Sequence, residues 1–286
     1  MAINPNPINV NQLLRDHNIR PNKEYGQNFL EDSEILSSIA DAAAIMPFET
    51  VVEIGPGLGT LTWHLAQRAA SVHCVELDPG MLRILKKTTS TFGNVHLTQG
   101  DILKLDPAVV AGTTDYVVVA NVPYYITSAI FRHLLGSKHR PKRVILTIQK
   151  EVAERICLIN EEHSLLSLSV HLYGRPSYIQ TIPAEAFNPA PKVDSAVLKV
   201  DVYPQPQLPV DEIEPFFRLI KAGFSQKRKT LRNSLSAAMH KKPAEVGDLL
   251  LVQQIDPNRR AETLSIEEWQ RLIPLFRDQA GNFSQE

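Results

Sequence analysis

The chain has 286 residues, with 30 Lys and Arg against 31 Asp and Glu and a formal net charge of −1. Hydrophobic residues make up 43 % and charged ones 21 %, which excludes wholesale disorder and suits one large or two ordinary domains with cores of their own. The two cysteines, Cys74 and Cys157, exclude a disulfide framework and a cysteine-rich zinc site; both lie in apolar runs and read as buried structural thiols.

The stretch Met1–Val10 has no basic or apolar leader pattern and carries Pro5 and Pro7, so no secretory signal is expected and the chain reads as cytoplasmic. Thr50–Ile54 reads as a buried strand ended by glycines. Thr60–Ala69 then places Leu61, Leu65 and Ala69 at helical spacing. Val72–Leu77 is a second strand and Met81–Lys87 a helix. Val95–Thr98, Tyr116–Ala120 and Val144–Ile148 follow as strands, with helix-like Ser128–Leu135 between the last two. The uncharged run Tyr116–Phe131 contains Asn121 and Pro123 and is too short to span a bilayer, so no membrane partner is expected. This alternation predicts an α/β fold, a mostly parallel sheet with helices on both faces.

Further on, Leu198, Val200 and Val202 alternate with Lys199 and Asp201, the pattern of a half-buried strand at an antiparallel edge. Three prolines within Tyr203–Pro209 mark a linker, drawn at 204–210. Beyond it, Glu212–Ala222, Lys229–Met239, Ala244–Val252 and Ile266–Phe276 read as helices. The expected organisation is an arm over 1–30, an α/β domain over 31–203 and a small all-α domain over 211–286.

The chemistry concentrates at strand ends. Gly55-Pro56-Gly57-Leu58-Gly59 follows the first strand, where glycines let backbone approach a ligand closely. Its spacing is one residue short of the dinucleotide fingerprint, which weakens a nicotinamide reading. Glu76 ends the second strand 21 residues after Gly55, where a carboxylate can accept both ribose hydroxyls of an adenosine. Asp101 ends the third and can accept from an exocyclic adenine amine. Asn121-Val122-Pro123-Tyr124 ends the fourth. An adenine amine is a poor nucleophile because its lone pair is delocalised into the ring. The Asn121 oxygen and a nearby carbonyl can accept its two N–H bonds, favour a tetrahedral nitrogen and aim its lone pair at a methyl group. Pro123 restricts Val122 and so helps to fix the turn, and Tyr124 offers an aromatic face to an unstacked base. The nine histidines show no metal-ligand spacing, so no metal is expected.

In this order the motifs resemble the class I S-adenosylmethionine-dependent methyltransferases, a Rossmann-like fold, and within them the small-subunit rRNA adenine dimethyltransferase (KsgA/RsmA) family. The resemblance runs from about Lys23 to Ser265 and includes Lys23–Leu30, Glu53–Gly59, Gly100-Asp101, Asn121–Tyr124, Phe187–Val197 and Phe224–Leu235. It implies S-adenosylmethionine as cofactor. Asn28, Leu30, Glu53, Gly55, Gly57, Glu76, Asp101 and Asn121 would form the cofactor pocket, to which the arm contributes. Asn121, Pro123, Tyr124 and Phe187 would act on the target, Tyr124 and Phe187 sandwiching the base. Val122 stands where many members have Leu, and Tyr125 where many have Asn.

The resemblance further implies two rounds of N6 methylation on each of two adjacent adenosines near the 3′ end of small-subunit rRNA, within a precursor subunit, and a part in subunit biogenesis. The related large-subunit rRNA dimethyltransferases share the core motifs, but Phe187–Val197 and Phe224–Leu235 favour the small-subunit reading. DNA and protein amide methyltransferases commonly carry N/D-P-P-Y instead. A binding factor without activity would be expected to lose the strand-end acids and the Asn121 motif, and this chain has both.

The near-neutral charge is an average over unlike parts. Arg218–Lys242 holds eight basic residues and no acid, and Arg132–Arg143 holds five with two histidines and no acid. The first block, with Lys227, Arg228, Lys229 and Arg232 at its centre, is expected to meet RNA phosphates. No exposed heptad or long apolar run suggests a dimer, so a monomer is expected.

Overall fold

β-Branched runs make the middle of a seven-stranded sheet in the computed structural model, which describes residues 8–17, 21, 26–157, 162–226 and 228–277. The strands are β1 (Phe29–Leu30), β2 (Thr50–Ile54), β3 (Ser71–Glu76), β4 (Val95–Gln99), β5 (Tyr116–Asn121), β6 (Arg143–Gln149), β7 (Gly174–Ile182), β8 (Phe187–Asn188) and β9 (Ser195–Val202). Helices α1 (Val10–Asp16), α2 (Ser33–Ala42), α3 (Thr60–Ala66), α4 (Pro79–Thr88), α5 (Pro107–Ala111), α6 (Thr127–Leu135) and α7 (Lys150–Ile156) alternate with the first strands. Then come α8 (Leu165–Tyr173), α9 (Val210–Phe224), α10 (Leu231–Met239), α11 (Pro243–Val252) and α12 (Ile266–Arg277).

The sheet order is β4-β3-β2-β5-β6-β9-β7, with β2 parallel to β3 and β5, β3 to β4, and β5 to β6. Val117 and Val119 join Leu36, Ile39, Leu61 and Leu65 in one core cluster. Val118 and Ala120, one residue out of phase, are equally buried, so both faces of the sheet are covered. Each such side chain contributes roughly 1.5–3 kcal/mol by leaving water. From β2 the chain runs outward through β3 and β4, then returns to the other side of β2 as β5. That reversal opens a crevice at the carboxyl ends of β2 and β5.

The strand expected at an antiparallel edge is antiparallel, pairing Val144 with Val200 and Gln149 with Ser195, but it is not the edge. β9 lies between β6 and β7, and β7 takes the outer position. Cys74 is fully buried, whereas Cys157 is only half-buried, because it follows the last residue of α7 instead of lying inside a packed element.

The chain divides into two compact units, 1–153 with 175–204 and 154–174 with 205–286. The change at 204/205 falls in the proline-rich stretch. The second unit also takes in 154–174, including α8, which the expected 31–203 boundary placed with the sheet. Within that unit α8 packs on α9, and Gln207 N–H donates to the Leu172 carbonyl at 2.9 Å. Its core joins α9 to α12 around the fully buried Trp269 and Phe216. Lys23–Tyr25 of the expected arm, Lys227 of the basic block and the last nine residues of 211–286 lie outside the described residues. Among the described residues, no helix is long and apolar enough to cross a membrane.

Candidate active site

The turn after β2 is built from its glycines. Gly59 is the residue before α3 and has φ +89°; a Cβ there would lie 2.9 Å from Leu85 and 3.0 Å from the Thr88 hydroxyl, so only glycine lets α3 start against α4. Gly55 has φ +65°, and a Cβ on it would meet no protein atom within 4 Å. That space belongs to a cavity of about 140 Å³ at the crevice. Asn28, Leu30, Glu53, Gly55, Gly57, Glu76, Asp101, Asn121, Pro123, Tyr124 and Phe187 all line it.

Glu76 ties the glycine turn to the end of β3. Its Oε2 accepts from Gly57 N–H at 3.0 Å and its Oε1 from Asp78 N–H at 2.8 Å. The carboxyl is only 6 % exposed, and burial pushes its pKa up while the two N–H groups pull it back. Each oxygen keeps a further acceptor position, so the residue fits two hydroxyls of a ribose. Asp101 follows β4, accepts from Leu103 N–H at 3.0 Å and has Lys104 Nζ at 3.8 Å. Leu77 and Ile102, each next to one of these acids, also line the cavity and provide apolar walls for a planar base. Sequence reasoning passed over both, although an apolar residue directly after a strand-end acid was the available signal.

Glu53 is 1 % exposed, and its Oε2 lies 3.5 Å from the Cys74 thiol. Burial, with Glu76 adding to it, raises its carboxyl to about 7 despite the thiol hydrogen bond. Burial thus raises both acids at these neighbouring strand ends, Glu53 to about 7. An open glycine cradle, a hydroxyl acceptor and apolar walls together fit an adenosine-bearing cofactor.

At the other end of the cavity, Asn121 Nδ2 donates to the Asn28 carbonyl across a long 3.4 Å. This contact orients the amide and leaves Oδ1 as the acceptor. Gly26, with φ +59°, lets the 26–28 segment settle on Pro123, since a Cβ there would lie 2.8 Å from Pro123 Cβ. Tyr124 opens a short 3-10 turn, Tyr124–Ile126, and its hydroxyl lies 2.7 Å from Ser195 Oγ. Phe187 reaches the cavity through a miniature sheet, β8 pairing with β1 so that Phe187 faces Leu30 and Asn188 faces Phe29.

The arm therefore takes part in the wall. Val10 and Leu14 of α1 pack with Phe29, Leu58, Met81 and Ile84, and Gln27 Nε2 donates to Asp78 at 3.0 Å. Neither α1 nor the Tyr124–Ser195 contact was read from sequence, and no local pattern marks a contact between residues 71 apart.

Arg228 and Lys229 are exposed in the turn that leads into α10, and Arg232 is exposed in the first turn of that helix. They belong to the second unit and are not among the residues lining the cavity.

Comparison with known proteins matches residues 18–278 to the family model described as ribosomal RNA adenine dimethylase. The chain is 42 % identical over 274 residues to a ribosomal RNA small subunit methyltransferase A from Dehalococcoides mccartyi (strain CBDB1), covering 95 % of this chain and 92 % of that one. It is 40 % identical to the protein of the same description from Bacillus pumilus, covering 93 % and 94 %. Among solved structures it is similar to a dimethyladenosine transferase from Plasmodium falciparum, with a TM-score of 0.73 and 26 % identity over 88 % of this chain and 98 % of that one. It is also similar to the 23S rRNA methyltransferase ErmE, with a TM-score of 0.70 and 26 % identity over 87 % and 100 %.

Proposed function

Because the chain belongs to the ribosomal RNA adenine dimethylase family, we propose that its crevice holds S-adenosylmethionine beside a target adenosine and that the lining residues divide the work as follows. The chain is an S-adenosylmethionine-dependent adenine dimethyltransferase of small-subunit rRNA. When bound, the cofactor supplies an electrophilic methyl group on a sulfonium.

Glu76 accepts the ribose hydroxyls and Asp101 the adenine amine of the cofactor. Asn28, Leu30, Gly55 and Gly57 shape the space around it, and Glu53 supports the glycine turn from below. Asn121 accepts an N–H of the target amine through Oδ1, drawing the nitrogen toward a tetrahedral shape with its lone pair aimed along the cavity. Pro123 sets the turn that presents Asn121, and Tyr124 and Phe187 hold the extracted base between them. No general base has to act before attack, since the target nitrogen sheds its proton after it has gained the methyl group. Positioning carries most of the rate, and the apolar lining favours a transition state in which charge is dispersed. The observation that carries this reading is the convergence of Glu76 and the Asn121 amide on one cavity from opposite sides of the crevice.

The finer reading is that two adjacent adenosines near the 3′ end of small-subunit rRNA each become N6,N6-dimethyladenosine. The enzyme works as a monomer on a precursor subunit in the cytoplasm, and its departure serves subunit biogenesis. Arg228, Lys229 and Arg232, with Lys227, supply phosphate contacts.

The test is transfer of labelled methyl groups to small subunits that lack the modification, with large subunits as control. Label should enter the small-subunit rRNA alone, about four methyl groups per subunit if each of the two amines takes two. Label in the large subunit would instead favour the reading suggested by the likeness to ErmE.

A further inference from the structure

We propose that Ser195 is a positioning residue for the target base, its buried hydroxyl tethering the Tyr124 ring at the angle that stacking requires. The inference rests on the reading of Tyr124 as a platform for that base. Tyr124 stands on a three-residue turn rather than on a strand or long helix. Rotation of a tyrosine ring about its last torsion is broad, so such a turn does not by itself hold the plane of the ring. The structure supplies the restraint from elsewhere, through the 2.7 Å contact between Tyr124 Oη and Ser195 Oγ.

Ser195 is suited to be the fixed end. It is 0 % exposed, begins β9 and pairs with Gln149 of β6. Its neighbour Asp194 is held on both sides: the carbonyl accepts from Lys150 N–H at 3.0 Å and Oδ1 accepts from Ala184 N–H at 3.1 Å. The serine therefore has little freedom, and the tyrosine follows it. Burial raises the pKa of the Tyr124 hydroxyl and the Ser195 bond opposes that rise, as for a hydroxyl taken from water and given a partner.

A role follows for the run Phe187–Val197. Phe187 reaches the cavity directly, and Ser195, eight residues later, reaches it through Tyr124. One segment thereby sets both aromatic faces between which the base is held.

The experiment compares Ser195→Ala, Tyr124→Phe, the double variant and Tyr124→Ala in methyl transfer to small subunits that lack the modification. Cofactor affinity is measured by calorimetry, and thermal melting checks the fold. Ser195→Ala and Tyr124→Phe should each lower kcat about five- to thirtyfold, the effect of losing one buried hydrogen bond. The double variant should be no slower than the slower single one, because both remove the same bond. KM for the subunit and the cofactor Kd should stay within about twofold, since neither phosphate contacts nor the cofactor wall is touched.

Losses that multiply in the double variant would overturn the tether, as would a parallel loss of cofactor affinity. Full activity of Ser195→Ala beside a crippled Tyr124→Ala would remove Ser195 and leave the platform standing. Full activity of Tyr124→Ala would remove the platform and the tether with it. If Ser195→Ala does not fold, Tyr124→Phe decides from the cavity side: a slow, folded, cofactor-binding enzyme supports the tether, and a normal rate overturns it.

Discussion

Glu53 and Glu76 are both carboxylates at strand ends, and their surroundings separate them. Burial raises both; Glu76 receives two backbone N–H groups that oppose its rise, whereas Glu53 has a thiol at 3.5 Å and is raised to about 7. The raised value gives a sign for stability. The folded protein holds a proton on Glu53 that the unfolded chain, near the ordinary 4.5, has released. Stability from this group is therefore full below about 4.5 and is lost as pH rises through about 7. In melts of cofactor-free protein, Glu53→Gln should remove roughly 2 kcal/mol of the decline between about pH 5.5 and 8. Identical declines in the two proteins would mean that Glu53 keeps its ordinary pKa.

Asn121 gives a second prediction at this scale. Asn121→Ala should keep cofactor affinity within about threefold in calorimetry yet lower kcat by about two orders of magnitude or more, as for a lost group that acts only on the reacting centre. Normal methyl transfer by this variant would show that the amine is held by something else.

At the scale of elements, the motifs were legible because each is a strand end plus its turn, fewer than ten consecutive residues whose geometry local chemistry sets. β7 was not. Gly174 opens it and Pro176 lies within it, both signals against a strand, and only an outer position tolerates that proline. The alternation of Lys199 with Asp201 pointed to a strand with one wet side, but β7 covers the flank of β9 and four of its first residues are buried.

In the second unit, a Cβ on Gly223 of α9 would collide with the Trp269 ring of α12. The missing side chain is what lets these two helices close on a fully buried indole. Gly223→Ala should therefore destabilise that unit by about 1–3 kcal/mol despite the better helix propensity of alanine. A drop in the melting transition followed by tryptophan emission would register it, and an unchanged transition would mean that the indole has room to move.

For the whole molecule, the balance of −1 conceals an uneven distribution of charge. Acids such as Glu53, Glu76 and Asp101 line the cavity of the first unit, while Arg228, Lys229 and Arg232 stand exposed in the second. Arg218, at the start of the basic block, has Glu214 at 3.9 Å one turn earlier, so the acid-free count overstates its free charge there. Reversing Arg228, Lys229 and Arg232 to Glu should weaken binding to small subunits and flatten its dependence on salt. A change in log–log slope of about 2 to 3 is expected if all three meet phosphate. Cofactor affinity should not change. Subunit binding with an unaltered slope would return these residues to an ordinary solvated surface.

The amino-acid sequence by itself determined the α/β class, the glycine turn, the strand-end acids, the Asn121 motif and the family to which they belong. These are short patterns, and neighbouring residues suffice to encode them. Only the tertiary structure decided which strand is outermost, that 154–174 joins the C-terminal helices, that Glu53 is shielded from water and that Ser195 meets Tyr124. Those outcomes depend on register and burial between segments far apart in the chain, and periodicity carries no record of which distant residue will close a contact.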